Sequence, residues 1–255
     1  MKYKKLSMPL SDSNLQKIYD EQFLGIYELD DRIEVFFSMT QDVSRLTGIA
    51  GSSSEIIEEC DWSKEWKKKI KPTSIGTITV LPPWLAKESV SENSITIVID
   101  PGMGFGTGEH PTTRGCLALI QKNISRESSF LDFGSGSGIL AIAAKKLGTQ
   151  KVFAIEQDPD AINNARLNAK INNVEIDFLS SNQLPSANQK FDLIAANIQS
   201  SVIIPILPEL KKRLTTQGIL IISGILDDEP FPMNNVKAYI NETPWLTLEI
   251  SNEQN

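Results

Sequence analysis

The stretch FLDFGSGSG, residues 130–138, decides the fold of this 255-residue chain. The apolar run Ser129 to Phe133 leads directly into a helical pattern over Ile139 to Leu147, which predicts a buried strand, a tight turn and a helix. Glycines let the backbone turn sharply and let a ligand approach without obstruction by a Cβ atom. In an open α/β sheet, ligands bind beyond the carboxyl end of such a strand. The turn therefore predicts a nucleoside-type ligand, although a tight turn in a non-binding α/β protein is the alternative.

The chain downstream of this turn alternates between strand and helix patterns. A strand over Lys151 to Ile155 precedes an amphipathic helix over Asp158 to Ile171, in which Asp158 is the expected N-cap before Pro159. Further strands are predicted over 174–179, 191–196 and 219–222, a helix over 202–214, and a closing antiparallel hairpin over 236–240 and 245–250. Such alternation predicts a parallel sheet with helices on both faces.

The N-terminal residues 1–60 have a different pattern and predict a small βαββ-type α+β unit. Tyr3 to Met8 and Ile33 to Met39 are strand-like, Ser13 to Gln22 is helix-like, and Asp30-Asp31 suggests a hairpin turn. We expect residues 61–95 to be a linker and entry segment and residues 96–255 to form the catalytic domain. The lysine run 67–69 in that linker is expected to be a solvated face.

Composition limits the class of protein. Hydrophobic content of 40% and charged content of 22% are ordinary globular values, which excludes a disordered or fibrous chain. The net charge of −7 argues against a protein that binds nucleic acid directly. No apolar stretch is long enough to cross a bilayer and no signal core follows the N-terminus. Cys60 and Cys116 lie in no metal-ligand spacing. We expect a soluble, cytoplasmic monomer without a metal site.

The spacing of the glycines separates two kinds of cofactor. A dinucleotide fingerprint requires a glycine at position 139, where this chain has Ile139. The spacing GxGxG preceded by Asp132 instead resembles the cofactor loop of class I methyltransferases, whose S-adenosylmethionine carries an ammonium group that a carboxylate can bind. Glu156, at the end of the next strand, can accept hydrogen bonds from both ribose hydroxyls. Both cofactor classes use such an acid, so Glu156 supports nucleoside binding without choosing between them.

A second glycine-rich segment, IDPGMGFGTGEHPTTR, occupies residues 99–114. Four glycines in seven residues predict a shaped loop rather than a strand or helix. The loop ends at a helix start, where Pro111 and the threonines that follow it offer capping chemistry to a helix over 115–121. His110 is the only histidine of the chain, and a single histidine is more often structural than catalytic.

These motifs together resemble the PrmA family of ribosomal-protein methyltransferases. The resemblance rests on DPGMGFGTGEHPTT, LDFGSGSGILAIAAKKLG, AIEQDPDAINNARLNA, FDLIAANI and LIISGIL, and it is close over residues 60–226. It implies a class I S-adenosylmethionine-dependent methyltransferase fold, with a seven-stranded, mostly parallel sheet and a small N-terminal ferredoxin-like domain that recognises the substrate protein. Members of that family methylate large-subunit ribosomal protein eleven on lysine side chains and on the N-terminal amine.

The resemblance also implies site residues. It implies cofactor contacts at Thr113, Gly134, Glu156 and Asn197, and we expect further contacts at Thr107, Asp132 and Gly136. Thr113 would bind the methionine carboxylate, and Glu156 stands where aspartate is more usual, so its reach to the ribose changes. Ser135 replaces a more common cysteine or threonine, which we expect to be harmless.

The implied reaction is attack of a neutral amine on the sulfonium methyl group, for which orientation and desolvation suffice. Asn197 would accept a proton from the attacking amine and aim its lone pair, or would only position the cofactor. Phe105 would form a closing wall, and His110 would relay the proton. Two alternatives stay open: a related methyltransferase with another protein or small-molecule acceptor, and an inactive cofactor-binding module. Intact Asp132, Glu156 and Asn197 argue against the second.

Overall fold

A computed structural model describes residues 2–19, 21, 23–29, 31–58, 70–86, 94–100, 106–181, 184–186, 188–231 and 235–252. The chain divides into two compact units, Met1–Lys69 and Ile70–Asn255. Phe105, Cys60 and the lysine run 67–69 lie outside the described residues, so the predictions made for them stay predictions.

The smaller unit is built on a four-stranded antiparallel sheet. Its elements are β1 (Lys2–Pro9), α1 (Asp12–Tyr19), β2 (Gly25–Glu28), β3 (Arg32–Ser38), α2 (Ser44–Thr47) and β4 (Ser53–Glu58). The strand order β2-β3-β1-β4 is that of a ferredoxin-like fold, which confirms the expectation. Alternate residues of β1 and β3 face one core, which also receives Ile18 from α1 and Leu46 from α2. The predicted hairpin joins β2 to β3.

The larger unit begins with a three-stranded sheet made of β5 (Thr73–Ile75), β6 (Ile78–Leu81) and β7 (Ile95–Val98). All four residues of β6 are buried, and Ile78 and Val80 pack in the core of this unit. Residues 70–86, expected to be a linker, therefore belong to the larger compact unit. The functional limits of a substrate-recognition domain and a catalytic domain stay a prediction.

The main sheet of the larger unit has seven strands in the order β10-β9-β8-β11-β12-β14-β13. The strands are β8 (Ser129–Phe133), β9 (Lys151–Glu156), β10 (Asp177–Ser180), β11 (Phe191–Asn197), β12 (Leu214–Leu226), β13 (Val236–Glu242) and β14 (Trp245–Ser251). The first five in this order are parallel, and β14 runs antiparallel to both of its neighbours. The strand order reverses between β8 and β11, which makes the gap at their carboxyl ends a topological switch point. This arrangement confirms the predicted class I methyltransferase fold.

Helices cover the main sheet on both faces. They are α3 (Pro111–Asn123), α4 (Ile139–Lys146), α5 (Pro159–Ile171) and α6 (Ser200–Lys212). Neighbouring residues of β8 contribute to different cores: Phe130 packs with α3 and α4, whereas Leu131 packs with α6. This alternation along apolar strands is what a parallel sheet buried on two sides requires. Among the described residues, no helix combines the length and apolarity needed to cross a membrane.

The structure corrects the predicted limits of helix 202–214 and strand 219–222. The helix ends at Lys212, and β12 begins at Leu214 because that residue already pairs with Phe191 of β11. The register then shifts, and Gly218 passes so close to the Phe191 carbonyl that a Cβ atom would lie 3.0 Å from it. The polar residues 215–217 therefore belong to a strand irregularity, although their composition is typical of a turn.

Candidate functional site

A cavity of about 660 Å³ opens at the carboxyl ends of the central strands. Six residues predicted from the sequence contribute to its lining: His110, Asp132, Gly134, Gly136, Glu156 and Asn197. The predicted cofactor residues Thr107 and Thr113 are described by the structure but do not belong to this lining. The switch point of the sheet, the glycine turn and the cavity therefore coincide.

The glycine turn approaches the segment that follows β11 without room for a side chain. Gly134 has a φ of +74°, a left-handed conformation that disfavours residues with a Cβ atom. A Cβ atom built at this position would lie 2.5 Å from Cγ2 of Ile198. Glycine at position 134 is thus required both by the backbone conformation and by the close contact at the switch point.

Asp132, one residue before the end of β8, is a buried carboxyl group with an unused oxygen. Only 1% of the residue is exposed. Its Oδ2 atom accepts a hydrogen bond of 3.1 Å from the amide of Ala141, while Oδ1 has no hydrogen-bond partner among the described residues. Burial raises the pKa of Asp132 to about 7, with a smaller contribution from the negative charge of Glu156, whereas the Ala141 amide acts in the opposite direction. A cation beside Oδ1 would favour the ionised form.

Glu156, at the end of the neighbouring strand β9, has both oxygens occupied by backbone amides. Oε2 accepts from Gly136 at 2.9 Å, and Oε1 accepts from Gln157 at 2.8 Å and from Asp158 at 3.0 Å. The carboxylate therefore ties the end of β9 to the glycine turn. Asp158 caps α5 by accepting from the amide of Asp160 at 2.9 Å, which confirms the predicted N-cap.

Asn197, the last residue of β11, contacts the first turn of α3. Its Nδ2 atom donates to Oγ1 of Thr113 at 3.3 Å, and Thr113 is fully buried. The contact orients the amide group so that Oδ1 points away from Thr113. The structure thus brings together two residues that the sequence separates by 84 positions.

His110 is the N-cap of α3, and its ring packs against the C-terminal hairpin. Its Nδ1 atom accepts from the Thr112 amide at 3.3 Å, and its ring lies edge-on to Trp245 with centroids 5.2 Å apart. The sequence-based expectation that the threonines cap this helix is wrong, because both lie inside the first turn. Burial lowers the pKa of His110, as does the charge of Arg114, while Glu242 raises it. The ring is therefore neutral at pH 7.

The apolar residues that complete the cavity wall were not predicted from the sequence. They are Ile198, Val202, Ile206 and Trp245, from the segment after β11, from α6 and from the start of β14. The closing hairpin was predicted, but nothing in the sequence indicates that β14 inserts between β12 and β13 and so brings its first residue to the cavity. An apolar wall beside the predicted acceptor position disfavours charged amines.

Comparison with known proteins identifies the family. The family model for ribosomal protein L11 methyltransferase (PrmA) matches residues 9–255. The chain belongs to this family. The predicted resemblance and the predicted enzyme class, an S-adenosylmethionine-dependent methyltransferase, are thereby confirmed.

Individual relatives agree with this membership. The chain is 40% identical over 250 residues to the ribosomal protein L11 methyltransferase of Dictyoglomus thermophilum, covering 95% of this chain and 82% of the relative. It is also 40% identical to the protein of the same name from Dictyoglomus turgidum, over 78% of this chain and 65% of that protein. The crystal structure of ribosomal protein L11 methylase from Lactobacillus delbrueckii subsp. bulgaricus superposes with a TM-score of 0.63 at 30% identity, over 70% of this chain and 96% of that one.

Proposed function

We propose that this chain transfers methyl groups from S-adenosylmethionine to amine nitrogens of ribosomal protein L11, with lysine side chains and the N-terminal amine as acceptors. The observation that carries the proposal is the cavity at the switch point, where Asp132, the glycine turn and Asn197 meet within a member of the PrmA family. Because that substrate is a cytoplasmic ribosomal component, the proposal also places the enzyme in the cytoplasm.

The residues of the cavity suit the methionine end of the cofactor. Asp132 Oδ1 and Ser135 Oγ are both buried without a hydrogen-bond partner among the described residues, and Asp132 and Ser135 both line the cavity. An unpartnered buried carboxyl oxygen is costly unless a ligand completes it. The ammonium group of S-adenosylmethionine would do so with a charge-assisted hydrogen bond. Ser135, which we expected to be a harmless replacement, therefore has a position from which it would contribute to binding.

The nucleoside end would lie toward Glu156. Its Oε2 atom holds the Gly136 amide, and a carboxylate oxygen has a second lone pair with which to accept from a ribose hydroxyl. In this arrangement one side chain fixes the turn and binds the cofactor. Bound there, S-adenosylmethionine supplies an activated methyl group, so that no metal and no covalent enzyme intermediate are needed.

The acceptor amine would approach the apolar wall. Lysine must lose a proton before it attacks, and its ordinary pKa is about 10.4. Ile198 and Trp245, which are partly buried, would disfavour the ammonium form by reducing its contact with water. Asn197 Oδ1, directed by the hydrogen bond from Nδ2 to Thr113, would accept a proton of the neutral amine and aim its lone pair. Thr113 would then act by orienting Asn197, in place of the predicted contact with the methionine carboxylate.

The decisive experiment is transfer of labelled methyl groups from S-adenosylmethionine to purified ribosomal protein L11, followed by intact-mass analysis. We expect the mass of L11 to increase in steps of one methyl group. A chain that binds S-adenosylmethionine tightly but labels no site on L11 would favour the alternative of another acceptor. A chain that binds both without turnover would favour the inactive module.

A further inference from the structure

Ser137, within the glycine turn, links that turn to the second glycine-rich loop. The residue is fully buried, and its Oγ atom donates a hydrogen bond of 2.6 Å to the carbonyl oxygen of Gly106. Gly106 lines the cavity. The hydroxyl group of Ser137 therefore holds one wall of the cavity against the turn that forms another.

The same turn is bound from the opposite direction by Asn168 of α5, which is also fully buried. Its Nδ2 atom donates to the carbonyl oxygen of Ser137 at 3.0 Å, and its Oδ1 atom accepts from the amide of Asp100 at 2.9 Å. Asp100 and Gly106 are the described residues nearest to segment 101–105 on its two sides. Gly106 is thus connected to Ser137 directly, and Asp100 is connected to it through Asn168.

The contact between the glycine turn and Gly106 leaves no room for a side chain at position 106. Gly106 has a φ of +103°, and a Cβ atom built on it would lie 3.0 Å from Ser137 Oγ and 3.2 Å from Cγ2 of Ile139. Neither neighbour has room to retreat, since Ser137 and Ile139 are both buried. The short hydrogen bond thus requires glycine at position 106.

We propose that Ser137 and Asn168 are positioning residues for S-adenosylmethionine, because together they fix the Gly106 wall of the cavity relative to the glycine turn. The proposal rests on the proposed function, since it concerns the affinity of the same site. Neither side chain needs to touch the cofactor. Ser137 and Asn168 act through Gly106 and the turn, and their effect is on cofactor affinity rather than on the reaction of bound cofactor.

Asn172, the C-cap of α5 and four residues after Asn168, provides a matched control. It binds the same extended segment, since its Oδ1 atom accepts from the Val98 amide at 2.9 Å and its Nδ2 atom donates to the Val98 carbonyl at 2.6 Å. Asn172 is 3% exposed and Asn168 is 0% exposed, and both carry the same amide group. The Nδ2 atom of Asn172 also donates to the carbonyl oxygen of Asn168 at 2.8 Å, but among the described residues its side chain makes no hydrogen bond to the glycine turn. Its loss should destabilise the fold without altering the cofactor site.

The test compares calorimetric titrations of S-adenosylmethionine into the wild-type chain, Ser137→Ala, Asn168→Ala and Asn172→Ala, each with its thermal unfolding midpoint. We expect all three variants to unfold at lower temperature, and only Ser137→Ala and Asn168→Ala to raise the Kd about tenfold, as loss of one buried hydrogen bond allows. In methyl transfer, Ser137→Ala should raise KM for S-adenosylmethionine and keep kcat within about twofold at saturation.

The proposal is overturned if Ser137→Ala lowers the unfolding midpoint but binds S-adenosylmethionine as tightly as the wild type, or if Asn172→Ala weakens binding equally. Should Ser137→Ala not fold, Gly106→Ala places a methyl group against Ser137 and must produce the same loss of affinity, and wild-type affinity there would refute the proposal. A wild-type chain that binds no S-adenosylmethionine would instead refute the proposed function.

Discussion

The carboxyl ends of β8 and β9 carry two acids that flank one glycine turn and differ in almost every physical respect. Asp132 is buried, has one unpartnered oxygen and has a pKa raised to about 7. Glu156 is partly buried and accepts three backbone hydrogen bonds. We infer that Glu156 mainly fixes the glycine turn, whereas the unpartnered oxygen of Asp132 is the one left for a ligand cation. Two similar side chains at neighbouring strand ends therefore have separate roles.

The largest effect is expected from Asp132→Asn, which removes the charge and keeps the shape. Loss of the partner of a buried ammonium should raise the Kd for S-adenosylmethionine about 100-fold. The ligand-free variant should nevertheless be more stable at pH 8. Folding raises the pKa of Asp132 from its ordinary value of 3.8 to about 7, so stability falls as the pH rises from about 4 to about 7 and the whole loss, which asparagine does not incur, is present at pH 8. Calorimetry measures the affinity, and thermal unfolding measures the stability. A variant that binds more weakly and is also less stable at pH 8 would contradict the contrast between Asp132 and Glu156.

Glu156→Ala should have a smaller effect on affinity and the opposite effect on stability. The substitution leaves the amides of Gly136, Gln157 and Asp158 without their acceptor and loosens the turn. We expect the Kd for S-adenosylmethionine to rise about 30-fold and the unfolding midpoint to fall. Glu156→Asp is the control, since it keeps the carboxylate and shortens its reach. It should raise the Kd for S-adenosylmethionine only about threefold. If alanine stabilised the ligand-free chain, Glu156 would resemble Asp132 and the distinction would fail.

The dependence of affinity on pH sharpens the same comparison. Because the ligand favours ionised Asp132, which titrates near pH 7 when no ligand is bound, affinity should increase about tenfold between pH 6 and pH 8. Asp132→Asn should show a flat profile over this range. A wild-type affinity independent of pH would mean that Asp132 does not change its ionisation when the cofactor binds.

The smallest effect is expected from His110→Asn. Asparagine is itself a good N-cap, so the start of α3 is preserved while the imidazole is lost. If His110 caps the helix and packs against Trp245, kcat should stay within about threefold and the unfolding midpoint should change little. If it relays a proton, as the sequence also suggested, kcat should fall by about 100-fold or more.

The seven-stranded sheet could be predicted because the strands from 129 onward are apolar and the helices between them are periodic, features that are local in sequence. Asp132, Gly134 and Glu156 could be located for the same reason, since each lies at or next to the carboxyl end of a strand. Trp245 could not be located, because only the order of the strands in the folded sheet brings it to the cavity. The pair Ser137–Asn168 could not be located either, because its hydrogen bond joins residues 31 positions apart. The role of His110 as an N-cap was missed because capping preferences favour threonine, whereas the helix begins at Pro111, four residues before the predicted start.

The most direct test of the central claim compares two ligands, S-adenosylhomocysteine and 5′-methylthioadenosine, which share the nucleoside and differ in the amino-acid moiety. If Asp132 binds the ammonium group and Glu156 serves the nucleoside end, Asp132→Asn should weaken S-adenosylhomocysteine about 100-fold and 5′-methylthioadenosine less than threefold, while Glu156→Ala should weaken both by a similar factor. Equal losses for both ligands in Asp132→Asn, or unchanged binding of S-adenosylhomocysteine, would contradict this assignment.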